Sequence, residues 1–184
     1  MIAMPIETLL HPLKSAMGPA KGKQSLPILS CVLVKCLDSV LTVTASDLET
    51  QIIADTHLDH EPFELCLNAD KLHSIVSKLP EQSNLRMTAT DNQVTLTVGR
   101  SRYSLGSLNP ENFPAFDRTA PETVFTLEAS RLRRLLSKTA FAMAVEDVRY
   151  YLKGVALEIH PNTLVCRGFG WPPAGRVRDR HRSA

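Results

Sequence analysis

The chain has 184 residues, enough for one to one and a half ordinary domains. With 43% apolar and 22% charged residues it can build a core and is not a disordered chain, and no apolar run nears the roughly 18–20 residues that a membrane span needs. The net charge of +2 is uneven: residues 167–184 hold five arginines against one aspartate, and without them 16 basic and 18 acidic residues remain, so bulk charge alone does not argue for nucleic-acid binding. Met1 to Leu10 lacks a basic segment and contains Pro5 and Glu7, so no secretory leader is expected. Cys31, Cys36, Cys66 and Cys166 form no C-x-x-C pair, which speaks against a zinc ribbon and suits a cytoplasmic location.

In chain order, Thr8 to Ala16 predicts a first helix with Leu9, Leu10 and Leu13 on one side, and Pro12 is tolerable only near its first turn. Residues 26–58 predict strands: the apolar run Ile28 to Val34, a turn at Asp38-Ser39, the alternating Leu41 to Ala45, then Gln51 to Ala54. A second helix is predicted from Ala69 to Leu79, with Asn68 as N-cap. Leu85 to Val98 predicts two strands around Asp91-Asn92, and Arg102 to Leu105 another. Asn109 to Pro121 holds three prolines and no periodicity and reads as a linker. A third helix is predicted from Ala129 to Lys138, with Leu132, Leu135 and Leu136 facing the core.

A repeat recurs at an offset of 60 residues, LCLNADKLHSIVSK from Leu65 and FTLEASRLRRLLSK from Phe125. Both copies predict a strand followed by an amphipathic helix. A second echo links the strands after Val32 with those after Val155. The exposed helix faces offer Lys71, His73, Ser74 and Lys78 on the second helix, and Arg131, Arg133, Arg134 and Lys138 on the third. Basic faces on successive repeated helices suit phosphates without reading base sequence.

A catalytic constellation is not expected. Asp47 and Glu49 are close in sequence, but nothing supplies a nucleophile or a positioned base. His57, Asp59 and His60, with Asp55 nearby, would suit a metal-dependent hydrolase, a distant alternative to scattered surface charge. No phosphate-binding or dinucleotide-binding glycine motif is present. No metal and no cofactor is expected.

Four strings together carry a resemblance: LLHPLKSAMGPAKGKQSLPILSCVLV, LTVTASDLETQI, VGRSRYSLGSLNPENFPAFD and FAMAVEDVRYYLKGVALE. Over residues 8–166 the chain resembles the bacterial β sliding clamp, the ring-shaped, non-catalytic processivity subunit of the replicative DNA polymerase. The resemblance implies an α+β DNA-clamp fold of repeated β-α-β units, with helices inside and sheets outside. In that family, homodimeric rings enclose duplex DNA and meet clamp loader and DNA polymerases, without a membrane partner. It further implies a complete first domain over 1–118, the first half of a second over 119–166, and a chain that does not close a ring by itself. Phosphate contacts are implied at Lys21 and Lys23, with second-domain DNA contacts at Arg149, Tyr150 and Tyr151. Glu146, just before these, departs from the family's polar residue. Leu152 matches one wall of a peptide-binding pocket, and Arg100, Arg102, Tyr103 and Leu105, with Lys71 nearby, match one side of the ring-closing interface.

After Val165 the resemblance stops. The family continues toward a string like SDGHRLAVC, whereas residues 167–184 are rich in Arg, Gly and Pro, have little strand propensity and break the repeat. Phe169 to Gly175 can be written TTC GGA TGG CCA CCG GCT GGC, and a displacement of one base turns that into codons for Ser-Asp-Gly-His-Arg-Leu-Ala. The expectation is a frameshift between Val165 and Arg167, which replaced the family continuation and ended the chain early. Two alternatives are a basic tail that binds nucleic acid and a clamp-gene remnant with at most weak, non-specific DNA binding.

Overall fold

Chain contacts divide the protein into two units, Met1–Arg118 and Thr119–Ala184. The structure, a computed structural model, describes residues 1–21, 24–90, 92–114, 116, 124–144, 148–160, 163–169 and 176–180, with the backbone alone described for 150, 151 and 176–180. Among these, no helix is long and apolar enough to cross a membrane.

Unit 1 runs β1 (Ile2–Pro5), α1 (Ile6–Ala16), β2 (Cys31–Leu37), β3 (Val40–Ser46) and β4 (Gln51–His57). The same order then recurs as β5 (Phe63–Asn68), α2 (Ala69–Val76), β6 (Asn84–Thr90), β7 (Gln93–Val98) and β8 (Ser101–Leu108). The strands form one antiparallel sheet in the order β1-β6-β7-β8-β5-β2-β3-β4. The two half-repeats exchange strands: β1 pairs with β6 of the other half, and β5 pairs with β2. One core therefore draws on both halves, with Leu9 and Leu13 of α1, Leu72 and Val76 of α2, Val32 and Val34 of β2, and Leu85 and Met87 of β6.

Local chemistry sets most boundaries. Residues Pro27–Ser30 form a 3-10 turn, so the expected strand from Ile28 starts only at Cys31. Pro27 lacks an N–H and presets a helical φ, which favours a turn over a ladder there. Asp38 and Ser39 both take positive φ (50° and 59°), the two-residue hairpin turn whose twist matches its strands. The Asn68 side chain accepts the Lys71 N–H at 3.0 Å and caps α2. That helix stops at Val76, short of the expected Leu79, because residues 77–79 tighten into turn bonds ahead of Pro80. Conversely, α1 starts two residues before Thr8 and carries Pro12 in its interior. An interior proline costs about 3 kcal/mol. Burial of Ile6, Leu9 and Leu13 contributes roughly 1.5–3 kcal/mol each and outweighs it.

Unit 2 holds α3 (Ala129–Ser137), β9 (Val155–His160), β10 (Thr163–Gly168) and β11 (Arg176–Arg180), the strands forming an antiparallel sheet in the order β11-β10-β9. Its small core is Leu135, Leu164 and Cys166, with Leu127 and Val155 against it. The Thr139 hydroxyl donates to the Leu135 carbonyl at 2.8 Å and lies 3.2 Å from Cys166 Sγ.

Three expectations need correction here. Phe125 to Leu127 is not a strand: its counterpart β5 is held by β2 and β8, and no described strand of unit 2 borders it. Leu136 is 40% exposed and does not join the core. The segment after Val165 does not break the pattern, since β10 continues through Arg167 and Gly168, and β11 takes the position that β4 holds after β3. Strand pairing is made by backbone groups, and a buried strand such as β10 leaves an edge that an extended, charge-rich segment satisfies.

Candidate nucleic-acid interface

In unit 1, α1 and α2 touch each other and both pack on the sheet. Their buried residues point toward the sheet, which leaves Lys14 of α1 and Lys71 of α2 exposed, with Lys78 exposed just beyond α2. His73 is half-buried, not exposed as expected. Lys21 follows α1 in a connection shaped by Gln24, whose amide donates to the Pro19 carbonyl at 2.8 Å, and it is exposed. Lys23 lies outside the described residues. Acidic groups intervene at Asp70 and Glu81, so the helical layer is a set of discrete cationic points that suits spaced phosphates. Lys14 escaped the sequence reading; its place opposite Leu9 and Leu13 was the available signal.

Glu7 belongs to the support of this layer. Its Oε1 accepts the Gln82 N–H at 2.6 Å, tying α1 to the connection before β6. That bond holds the Glu7 carboxyl below the ordinary glutamate range.

In unit 2, Arg133 and Arg134 are exposed on α3. Arg131 is half-buried and pairs with Glu128 at 3.4 Å, so it does not share their open face. Arg149 is exposed. Tyr150 and Tyr151 start a 3-10 turn that ends at Lys153. Leu152 within that turn is half-buried, and its carbonyl accepts the Ala144 N–H at 3.0 Å. Glu146 lies outside the described residues.

The residues read as one side of a ring interface fall on α2 and the β7–β8 hairpin. Arg100 stands at the hairpin turn beside Gly99 (φ 55°), and Arg102 is exposed opposite Thr97. Tyr103 packs against the core opposite Leu96, and Leu105 is buried opposite Val94. Lys71 and Leu105 line one open depression of about 500 Å³.

Two of the residues considered for chemistry, Asp47 and His60, have local structural partners. Asp47 Oδ1 accepts the N–H groups of Glu49 (3.0 Å) and Thr50 (2.6 Å) in the β3–β4 turn. The His60 ring lies 2.8 Å from the Glu61 carbonyl through Nδ1, 3.4 Å from the Met1 carbonyl through Nε2, and edge-on to Phe63. Among the described residues, no group of three His, Cys, Asp or Glu side chains is placed to hold a metal ion.

Residues 2–117 match the family model for the DNA polymerase III beta subunit, N-terminal domain. The beta sliding clamp of Pseudomonas putida is 38% identical over 160 residues, covering 86% of this chain and 44% of that protein. The Escherichia coli beta sliding clamp matches with the same identity and coverage. Among solved structures, the DNA polymerase III subunit beta of Pseudomonas aeruginosa superposes with a TM-score of 0.87 at 31% identity, over 96% of this chain and 52% of that one. The chain thus spans about half the length of the relatives it matches.

Proposed function

This chain belongs to the DNA polymerase III beta-subunit family, the bacterial sliding clamps, and we propose that it is a non-catalytic clamp segment that binds duplex DNA through its helical layer in support of processive replication. The observation that carries this reading is the joint exposure of Lys14, Lys21, Lys71 and Lys78 on or beside the two packed helices of unit 1. Lys23, Arg131, Arg133, Arg134, Arg149, Tyr150 and Tyr151 complete the proposed DNA contacts. Lysines so spaced neutralise phosphates and release counterions, giving affinity without base readout. Arg131 contributes least, because Glu128 already neutralises it.

Lys71, Arg100, Arg102, Tyr103 and Leu105 would form one side of a subunit interface, and Leu152 one wall of a peptide pocket. Polymerases and a clamp loader are the proposed partners of the assembled ring. Residues 167–184 are proposed to be out of frame, and the nucleotide sequence across codons 160–184 tests that directly: a family string in a displaced frame supports it, and none in any frame overturns it.

The test of DNA binding is affinity for a blunt duplex across a salt series. It compares the chain, a Lys14→Ala/Lys71→Ala/Lys78→Ala variant, and a variant with Arg176, Arg178, Arg180 and Arg182 changed to Gln. Each lost phosphate contact lowers the log–log salt slope by about 0.9. The lysine variant is expected to lose two to three contacts' worth of slope, and the arginine variant to retain most of the binding. Binding that survives the lysine changes and vanishes with the tail arginines would assign it to the tail instead.

A further inference from the structure

All four cysteines are buried and reduced, but two of them stand together. The β2–β5 ladder sets Cys31 opposite Asn68 and Leu33 opposite Cys66, so the two thiols share one sheet face, a diagonal step apart. That face is the reverse of the helical side: Val32, Val34, Leu65 and Leu67, which alternate with them, belong to the main core under α1 and α2. Cys31 and Cys66 form a separate small cluster with Phe113, against which Ile28 and Leu33 pack. Two short 3-10 turns supply its cover, Pro27–Ser30 through Ile28 and Pro110–Asn112 through the adjoining Phe113. Cys31 also lines the open depression of about 500 Å³ that Lys71 lines.

The pair is chemically asymmetric. The Cys66 thiol hydrogen-bonds Cys31, which holds Cys31 below the ordinary thiol range and, together with burial, pushes Cys66 up. Reactive cysteines combine such a bias toward the thiolate with access and a nearby cation, and oxidation-sensing ones have a second thiol poised beside them. The other cysteines lack this setting. Cys36 lies in the main core, where burial pushes its thiol up and Sγ donates to the Leu58 carbonyl at 3.6 Å. Cys166 sits against Thr139 in unit 2.

We propose that Cys31 and Cys66 are a hydroperoxide-reactive thiol pair, a reversible oxidation site in which Cys31 meets the oxidant from the depression and Cys66 resolves it as a disulfide. The Cys31 thiolate attacks one peroxide oxygen and the O–O bond breaks. The leaving oxygen takes up the proton that Cys31 gave up, which yields a sulfenic acid and, from hydrogen peroxide, water. The Cys66 sulfur then attacks the Cys31 sulfur; the S–O bond breaks, the S–S bond forms, and hydroxide departs with the Cys66 proton as a second water. The two thiols together lose two electrons and the peroxide gains two. The new bond joins strands that the ladder already holds side by side.

The test treats the full, pre-reduced chain with a small excess of hydrogen peroxide, alkylates the remaining thiols in denaturant, and reads intact mass and a peptide map. The expected product is a single chain short of two hydrogens, alkylated at Cys36 and Cys166 only, with a Cys31–Cys66 linked peptide that dithiothreitol reverses. Cys66→Ser should leave a sulfenic acid on Cys31 that dimedone traps, and Cys31→Ser should slow thiol loss about tenfold or more. Cys36→Ser/Cys166→Ser should link as the parent does, and the parent's own map decides the matter if a variant fails to fold. Oxidation without the Cys31–Cys66 link, a link through Cys36, Cys166 or a second chain, thiol loss at similar rates from all four cysteines, or no reaction would overturn the proposal.

Discussion

Asp47 shows a single side chain holding an unfavourable backbone in place. Leu48 has φ 76°, a left-handed conformation that costs a β-carbon-bearing residue roughly 1–2 kcal/mol. It persists because Asp47 accepts two N–H groups on its far side while the Ser46 hydroxyl accepts the Leu48 N–H at 3.2 Å. Asp47→Ala is expected to destabilise unit 1 by about 1 kcal/mol, and Leu48→Gly to stabilise it by about as much, read as urea midpoints. Glu7 makes the equivalent tie for Gln82, itself at φ 62°. Its depressed folded-state pKa means that this contribution is present above the ordinary value of 4.5 and is lost as the pH falls through the lower folded value. The stability gap between the chain and Glu7→Gln should therefore shrink in acid, measured by thermal unfolding on either side of 4.5; a gap independent of pH would show that the carboxylate is not the group responsible.

At the scale of elements, the end of β10 is decided by close approach. A β-carbon on Gly168 would lie 2.5 Å from the Thr139 carbonyl oxygen and 2.9 Å from Ala142 Cβ. The first of these is backbone and cannot swing away. Gly168→Ala is expected to cost about 1–3 kcal/mol within unit 2 and to lower amide protection across Leu164 to Cys166, with unit 1 unaffected. Arg167 works beside it, donating from Nη2 to Glu158 at 3.0 Å. These two residues integrate the start of the basic tail into the sheet. Reading along the sequence could not find that, because β11 depends on an available edge and not on its own propensity.

For the whole molecule, unit 1 joins two half-repeats in one sheet, whereas the described part of unit 2 has one α-helix and a three-stranded sheet. The ring-interface residues proposed on α2 and β8 need a complementary surface from another subunit. The 160 residues that match the Pseudomonas putida clamp span 44% of it. A topological link to DNA is therefore not expected from this chain alone. Loaded on nicked circular DNA and passed over a sizing column at moderate salt, it should elute apart from the DNA, and linearising the DNA should change nothing. Retention on circles with release from linear DNA would demonstrate a closed ring and defeat this expectation.

Helix positions, the hairpin turns, the Asn68 cap and the 60-residue repeat were legible in the sequence, because each depends on residues within a few positions of one another or on direct self-similarity. The family was legible for a related reason: LPIL encodes a turn opened by the fixed φ of Pro27, and SDLE a turn whose Ser46 and Asp47 side chains bond locally. Helix basicity could be read, but not which charges remain open, since Glu128 takes Arg131 and the fold turns His73 inward. Tertiary structure alone decided the strand exchange between half-repeats, the toleration of Pro12, the recruitment of Arg176–Arg180 as a strand and the exposure of Leu157 and Ile159. Each of these depends on what stands across the sheet or beneath the helix, and periodicity along a chain records which face is apolar without recording what covers it.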